Sequence, residues 1–99
     1  MSNRIIQSKN APAAIGPYSQ AIMAGGLIYT SGQLGLDPET GALPESIEEQ
    51  TKQSLKNIQA ILEEAGLQKT DVIKTVVFLK NMSDFAVVNG IYADFFGDH

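Results

Sequence analysis

Tyr18-Ser19-Gln20-Ala21-Ile22-Met23-Ala24-Gly25-Gly26-Leu27-Ile28-Tyr29-Thr30-Ser31-Gly32-Gln33 reads as two extended arms joined at a pair of glycines. A two-residue hairpin turn needs positive φ at its centre, which Gly25 and Gly26 supply without steric cost. The register follows from that turn. Ala24 falls opposite Leu27, Ile22 opposite Tyr29, Gln20 opposite Ser31 and Tyr18 opposite Gln33, all on one face, with Ser19, Ala21, Met23, Ile28 and Thr30 on the other. The first face turns polar at its far end, where Tyr18 and Ser31 stand on a diagonal of roughly 7–8 Å, within reach of one small ligand. Two readings are open there, a ligand site and a plain solvated sheet face.

Upstream, Asn10-Ala11-Pro12-Ala13-Ala14-Ile15-Gly16-Pro17 leads into the first arm. Pro12 and Pro17 hold φ near −65° and bias their predecessors towards extended geometry, while Gly16 permits a turn other residues resist. This approach aims Tyr18, as binding or catalysis would require; the competing reading is a Gly-Pro pair that merely ends a loop. Arg4 to Gln7 reads as a short edge strand.

Downstream, Asp37-Pro38-Glu39-Thr40-Gly41 has turn chemistry. Ser46 with Glu49 three residues on forms a capping box, and Ile47, Thr51, Leu55, Ile58, Leu62 and Ala65 recur at helical spacing. The spacing predicts a helix over 47–65, a rod of about 28 Å with one apolar stripe, laid across a sheet and ended by Gly66. Glu48, Glu49, Glu63 and Glu64 belong to its wet face. Adjacent carboxylates on a helix point about 100° apart, which argues against a catalytic acid and base pair there.

The β-branched run from Asp71 to Lys80, with Val72, Ile73, Val76, Val77, Phe78 and Leu79, predicts a central strand buried on both faces. Ser83 or Asp84 opens a second helix carrying Phe85, Val88, Ile91, Tyr92, Phe95 and Phe96. Asn89 interrupts its apolar stripe. An unpaired amide there would cost about 1–3 kcal/mol, so the pattern calls for a partner, either a structural hydrogen bond or a ligand. Gly90 beside it suggests a close backbone approach.

With 99 residues and 43% hydrophobic content, the chain has room for one domain with a modest core. No apolar run is long enough to span a bilayer and the first ten residues lack a signal-peptide core, which predicts a soluble, intracellular protein without membrane contact. Zero cysteines exclude disulfides, thiolate catalysis and cysteine zinc sites within this sequence. Seven basic against eleven acidic residues give a net charge of −4, with no basic run to track phosphates, so nucleic acid is not an expected partner. There is no phosphate-binding glycine loop and no zinc spacing, and His99 is the single imidazole, read as exposed at the end of the sequence. Metals and nucleotide cofactors have no support in these residues.

Ala11 to Ala21, Tyr29-Thr30-Ser31-Gly32-Gln33, Lys74-Thr75-Val76-Val77-Phe78-Leu79 and Asp84 to Tyr92 closely resemble, in order, the RidA (YjgF) family of reactive-intermediate deaminases. The resemblance implies an α+β fold like that of chorismate mutase, a mixed sheet with two helices on one face, assembled as a cytoplasmic homotrimer. It also implies a cofactor-free hydrolase acting on enamines and imines, notably 2-aminoacrylate and 2-iminopropanoate, to give the 2-keto acid and ammonia. Carried over by position, Tyr18 and Ser31 would be the catalytic hydroxyls that orient a water, Gly32 would offer backbone, Phe85 an apolar wall, and Asn89 support for the pocket.

The chain departs from the family in one respect: the resemblance implies a further Pro-Ala-Arg segment and two strands, bearing a carboxylate-clamping arginine and a glutamate for proton transfer. Arg4 is the only arginine here and sits in an edge segment, a poor bidentate clamp. The absent strand would lie beside the one over Asp71–Lys80, leaving sheet edges exposed. The expectation is therefore a single domain over 1–99, C-terminally incomplete or completed by another chain. Two alternatives remain beside the enzyme: a non-catalytic member of the family that binds a metabolite or protein in regulation, and a chorismate mutase, which would also want several arginines.

Overall fold

The computed structural model describes residues 4–16 and 18–97. Pro17 and His99, both singled out above, lie outside the described residues. The hairpin is present in the predicted register: β2 (Ala21–Ala24) and β3 (Leu27–Thr30) pair antiparallel, with Ala24 opposite Leu27 and Ile22 opposite Tyr29. Gly25 and Gly26 turn the chain at φ of 59° and 81°, a conformation that a Cβ would strain at both positions. The arms are shorter than the sequence suggested. One further ladder bond, from the Ser31 N–H to the Gln20 carbonyl at 2.9 Å, extends the pairing before the strands part.

On the other edge of β2 lies β1 (Arg4–Ile6), antiparallel, with Ile5 opposite Ile22 and Ile6 opposite Ala21. The pleat sends alternate residues to opposite faces. Ile6 and Ala21 face inward and are buried with Ala11 and Ile61, flanked by Ile28, Ala60 and Ala65. Ile5, Tyr29 and Leu27 face outward and are exposed, so the sheet has one covered and one open side.

The cover is α1 (Ile47–Glu64), one residue shorter than predicted. The Ser46 hydroxyl accepts from the Glu49 N–H at 3.1 Å, satisfying one of the orphan donors at the helix start. Thr51, Leu55, Ile61 and Leu62 are buried, and so is Asn57. The predicted stripe was right for Thr51, Leu55 and Leu62; Ile61 and Asn57 extend it.

The stretch 72–80 is the main correction. It forms no strand; it runs on as irregular chain after a 3₁₀ turn at Lys69–Asp71, with Phe78 93% and Ile73 81% exposed. A β-branched run becomes a central strand only when neighbours take its N–H and C=O groups, and no strand among the described residues lies beside it. The α+β class holds, and of the expected mixed sheet the described residues form the antiparallel part, in the order β1-β2-β3.

After a second 3₁₀ turn at Met82–Asp84, α2 (Phe85–Phe96) packs along α1. Val88 is its one buried residue, while Tyr92, Phe95 and Phe96 cluster by their rings, with centroids 5.8 Å apart for Tyr92 and Phe96 and 4.9 Å for Phe95 and Phe96. Asn89 is exposed, which corrects the expectation that it needs a partner, since water satisfies an amide on that side. Gly90 likewise has open space around it rather than a close backbone neighbour. No described helix is long and apolar enough to cross a membrane.

Candidate functional site

The approach to the hairpin is held by Gln20. Its carboxamide is buried at the end of the sheet, not solvated as the face assignment implied. The Oε1 atom accepts from the Ser8 N–H at 2.5 Å, and Nε2 is shared among the carbonyls of Ser8 (3.1 Å), Ala11 (3.3 Å) and Pro12 (2.8 Å). One side chain thus satisfies four backbone groups of a loop with no ladder of its own. The rigidity expected from prolines rests largely on this amide.

Tyr18 is about half exposed. Its N–H donates to the Gly16 carbonyl at 2.9 Å, and its Oη accepts a long bond of 3.4 Å from the Ile15 N–H, so the phenol lies back over its own turn. The phenolic proton is left over for another acceptor.

Ser31 is half-buried across the ribbon, and its hydroxyl donates to the Ser19 carbonyl at 2.6 Å. That bond fixes the hydroxyl rotor, so the remaining lone pairs can only accept. The structure therefore sets the Ser31 hydroxyl on the residue next to Tyr18, one group with a proton to give and one with lone pairs to offer. Gly32, which follows, is exposed, and its N–H makes no hydrogen bond to the described residues.

Phe85 and Asn89 lie one helical turn apart on the exposed side of α2. Among the described residues no hydrogen bond joins this pair to Tyr18, Ser31 or Gly32. The five candidates thus fall into two groups, Tyr18, Ser31 and Gly32 on one and Phe85 with Asn89 on the other. Clefts among the described residues include one of about 700 Å³ beside Asp37, Gln53 and Lys56 and one of about 460 Å³ beside Leu55, Ile91 and Phe95. Neither takes a wall from any of the five candidates. No group of three or more His, Cys, Asp and Glu among the described residues could hold a metal ion.

Sequence reasoning missed the way α1 grips the segment after Ser31 and Gly32. The Ser54 hydroxyl donates to the Gln33 carbonyl at 2.7 Å, and Asn57 Nδ2 donates to the carbonyls of Leu34 (3.0 Å) and Leu36 (2.9 Å). Between them Gly35 lies so close that a Cβ there would stand 2.8 Å from the Gln50 Cα. The legible signal was Ser54, Asn57 and Ile61 at helical spacing, which puts two polar residues on a buried stripe.

Comparison with known proteins adds a further layer. The profile of the family described as endoribonuclease L-PSP matches residues 8–99. A Salmonella typhimurium (strain LT2) protein named 2-iminobutanoate/2-iminopropanoate deaminase is 50% identical over 97 residues, covering 98% of this chain and 76% of that protein. An Escherichia coli (strain K12) protein of the same name is 48% identical over 97 residues, with 98% and 76% covered. Among solved structures, a Rid family protein, YyfA, from Yersinia pestis superposes with a TM-score of 0.95 at 50% identity, covering 98% of this chain and 78% of its own. The YjgF gene product of E. coli superposes at 0.92 with 49% identity, covering 97% and 76%.

Proposed function

As a member of the endoribonuclease L-PSP family, to which RidA and YjgF proteins belong and to which this chain belongs in turn, we propose that the protein hydrolyses 2-enamine and 2-imino acids. The reaction turns 2-aminoacrylate, through its tautomer 2-iminopropanoate, into pyruvate and ammonia. The observation that carries this reading is the 50% identity, over 98% of the chain, to a protein named for that activity. The residue balance supports a small acid over RNA, since seven Lys and Arg against eleven Asp and Glu lay down no phosphate track.

Hydrolysis needs a water held at the imine carbon, a base to take its proton and a proton for the nitrogen. Water adds to the C=N bond to give a carbinolamine. The C–N electrons then leave with nitrogen as ammonia, and loss of the hydroxyl proton forms the ketone. On this reading Ser31, with its own proton engaged by Ser19, accepts from the incoming water and orients it. Tyr18 gives its phenolic proton as a hydrogen bond to the substrate, Gly32 offers its N–H, Phe85 supplies an apolar wall and Asn89 a supporting one. The reaction as written uses no cofactor.

The substrate carboxylate wants a bidentate guanidinium. Arg4 is the only arginine and sits on edge strand β1, so we assign the clamp to the part of the relatives' length that these 99 residues do not span. The open face of the sheet, with Ile5, Tyr29 and Leu27 exposed, supports assembly of three copies through that side. Cytoplasmic placement belongs to the same reading and is in keeping with a sequence that uses no cysteine.

The test is pyruvate and ammonia release from freshly generated 2-aminoacrylate. It is run on the 99 residues and on the same chain joined to the C-terminal segment of the Salmonella relative. Acceleration over the spontaneous rate by the extended chain is expected; its absence sinks the deaminase reading, and binding without turnover would favour the regulatory alternative. Robust turnover by the 99 residues alone would overturn the clamp assignment.

A further inference from the structure

From the anchoring of residues 33–36 on α1, we infer that Asn57, assisted by Ser54, is a positioning residue for the Ser31–Gly32 arm. The inference rests on the site reading above and names a helix residue that touches no reacting atom. Ser31 and Gly32 form a short bridge between two fixed points. Before them the last ladder bond ties the Ser31 N–H to the Gln20 carbonyl; after them Ser54 holds the Gln33 carbonyl. Gln33 also donates from Nε2 to the Ser31 carbonyl at 3.2 Å, which couples the bridge to the anchored side. Gly32 itself has open space on its Cβ side, so nothing there supports it from that direction.

Asn57 is fully buried in the middle of a helix, a costly place for a carboxamide unless every polar atom is matched. All are matched. Both Nδ2 hydrogens go to loop carbonyls, Leu34 and Leu36, and Oδ1 accepts from Gln53 Nε2 at 2.9 Å, which fixes the orientation of the amide. A flipped amide would set oxygen against two carbonyls. With Gly35 pressed on the Gln50 backbone between these bonds, the loop has one seating on the helix. The Ser31 hydroxyl inherits its position from that seating.

The test compares backbone amide exchange in the wild-type chain with that in Asn57→Asp, Ser54→Ala and Ser54→Thr. It is followed by steady-state kinetics in whichever form of the chain turns over 2-iminopropanoate. Asn57→Asp removes the Nδ2 donors at nearly constant shape. Ser54→Ala removes one donor at a half-buried site and keeps the experiment decisive if the aspartate variant fails to fold. We expect the Ser31 amide to exchange about tenfold faster in Ser54→Ala, with the Ile22 and Leu62 amides within about twofold of wild type. Ser54→Thr, which keeps a hydroxyl, restores the wild-type rate. In the kinetics we expect kcat to fall about tenfold or more with KM held within about twofold, the pattern of a misplaced catalytic group.

Unchanged exchange at Ser31, or a uniform rise throughout the fold, would overturn the inference, as would faster Ser31 exchange with kcat intact. A chain without deaminase activity in any form removes the function proposed above and leaves the anchoring to be decided by the exchange rates alone.

Discussion

The Ser31 hydroxyl donates 2.6 Å across the hairpin to the carbonyl of Ser19, the residue that follows Tyr18. This bond joins the two arms of the ribbon where the backbone ladder has given out. It also leaves Ser31 able only to accept from whatever approaches it. Ser31→Ala therefore removes a fixed acceptor without emptying a large volume. In the form of the chain that is active, kcat for 2-iminopropanoate is expected to fall by about 10²-fold, the usual scale for a lost positioning or proton-handling group. Thermal stability should drop by about 1 kcal/mol for the lost hydrogen bond. Unchanged kcat in steady-state assays would remove Ser31 from the chemistry.

Gln20 gives a stability prediction independent of any activity. Gln20→Leu keeps the bulk and strips both ends of the amide, stranding the Ser8 N–H and the carbonyls of Ser8, Ala11 and Pro12. Each buried group left unsatisfied costs about 1–3 kcal/mol, so urea unfolding should show one of the larger single-site losses in the chain. A loss below about 1 kcal/mol would mean that water replaces the amide.

The segment 72–80 makes the opposite prediction. With Ile73 and Phe78 exposed, Ile73→Lys and Phe78→Lys should leave the stability of the 99 residues within about 0.5 kcal/mol of wild type. They should also lower light scattering at high concentration, because an exposed β-branched stretch outside any sheet is a template for association. In the chain extended with a relative's C-terminal segment, the same substitutions should become clearly destabilising. If they are equally harmless there, the segment is not a buried strand in the longer protein.

Tyr92 supplies a pH signature. Burial raises its phenol above the ordinary 10.0, because the low-dielectric surroundings disfavour the phenolate. The folded protein therefore holds this proton to higher pH than the unfolded chain does. The resulting stabilisation is fully present below pH 10 and is lost as pH rises through the folded value. Denaturant melts from pH 9 to 12 should show a decline that is shallower in Tyr92→Phe. Parallel curves for the two proteins would exclude the effect.

Local chemistry made much of this protein readable in advance. The Gly25-Gly26 turn and its register need only φ freedom and a period of two, and the start of α1 needs only Ser46 ahead of an apolar stripe. Ser31 meets the backbone of Ser19 and Gln20 across the ribbon because register alone determines who faces whom. Gln20 and the run 72–80 were misplaced, and Asn57 was missed, for one reason. Whether a polar amide is buried, or a β-branched run laddered, depends on which distant backbone groups arrive beside it.

Sequence by itself determined the hairpin and the two helices, since each follows from contacts within a turn or across a short ribbon. Tertiary structure decided that Gln20 and Asn57 are buried clamps, that Asn89 faces water and that residues 72–80 join no strand. These are matters of long-range hydrogen-bond satisfaction, which no local pattern encodes.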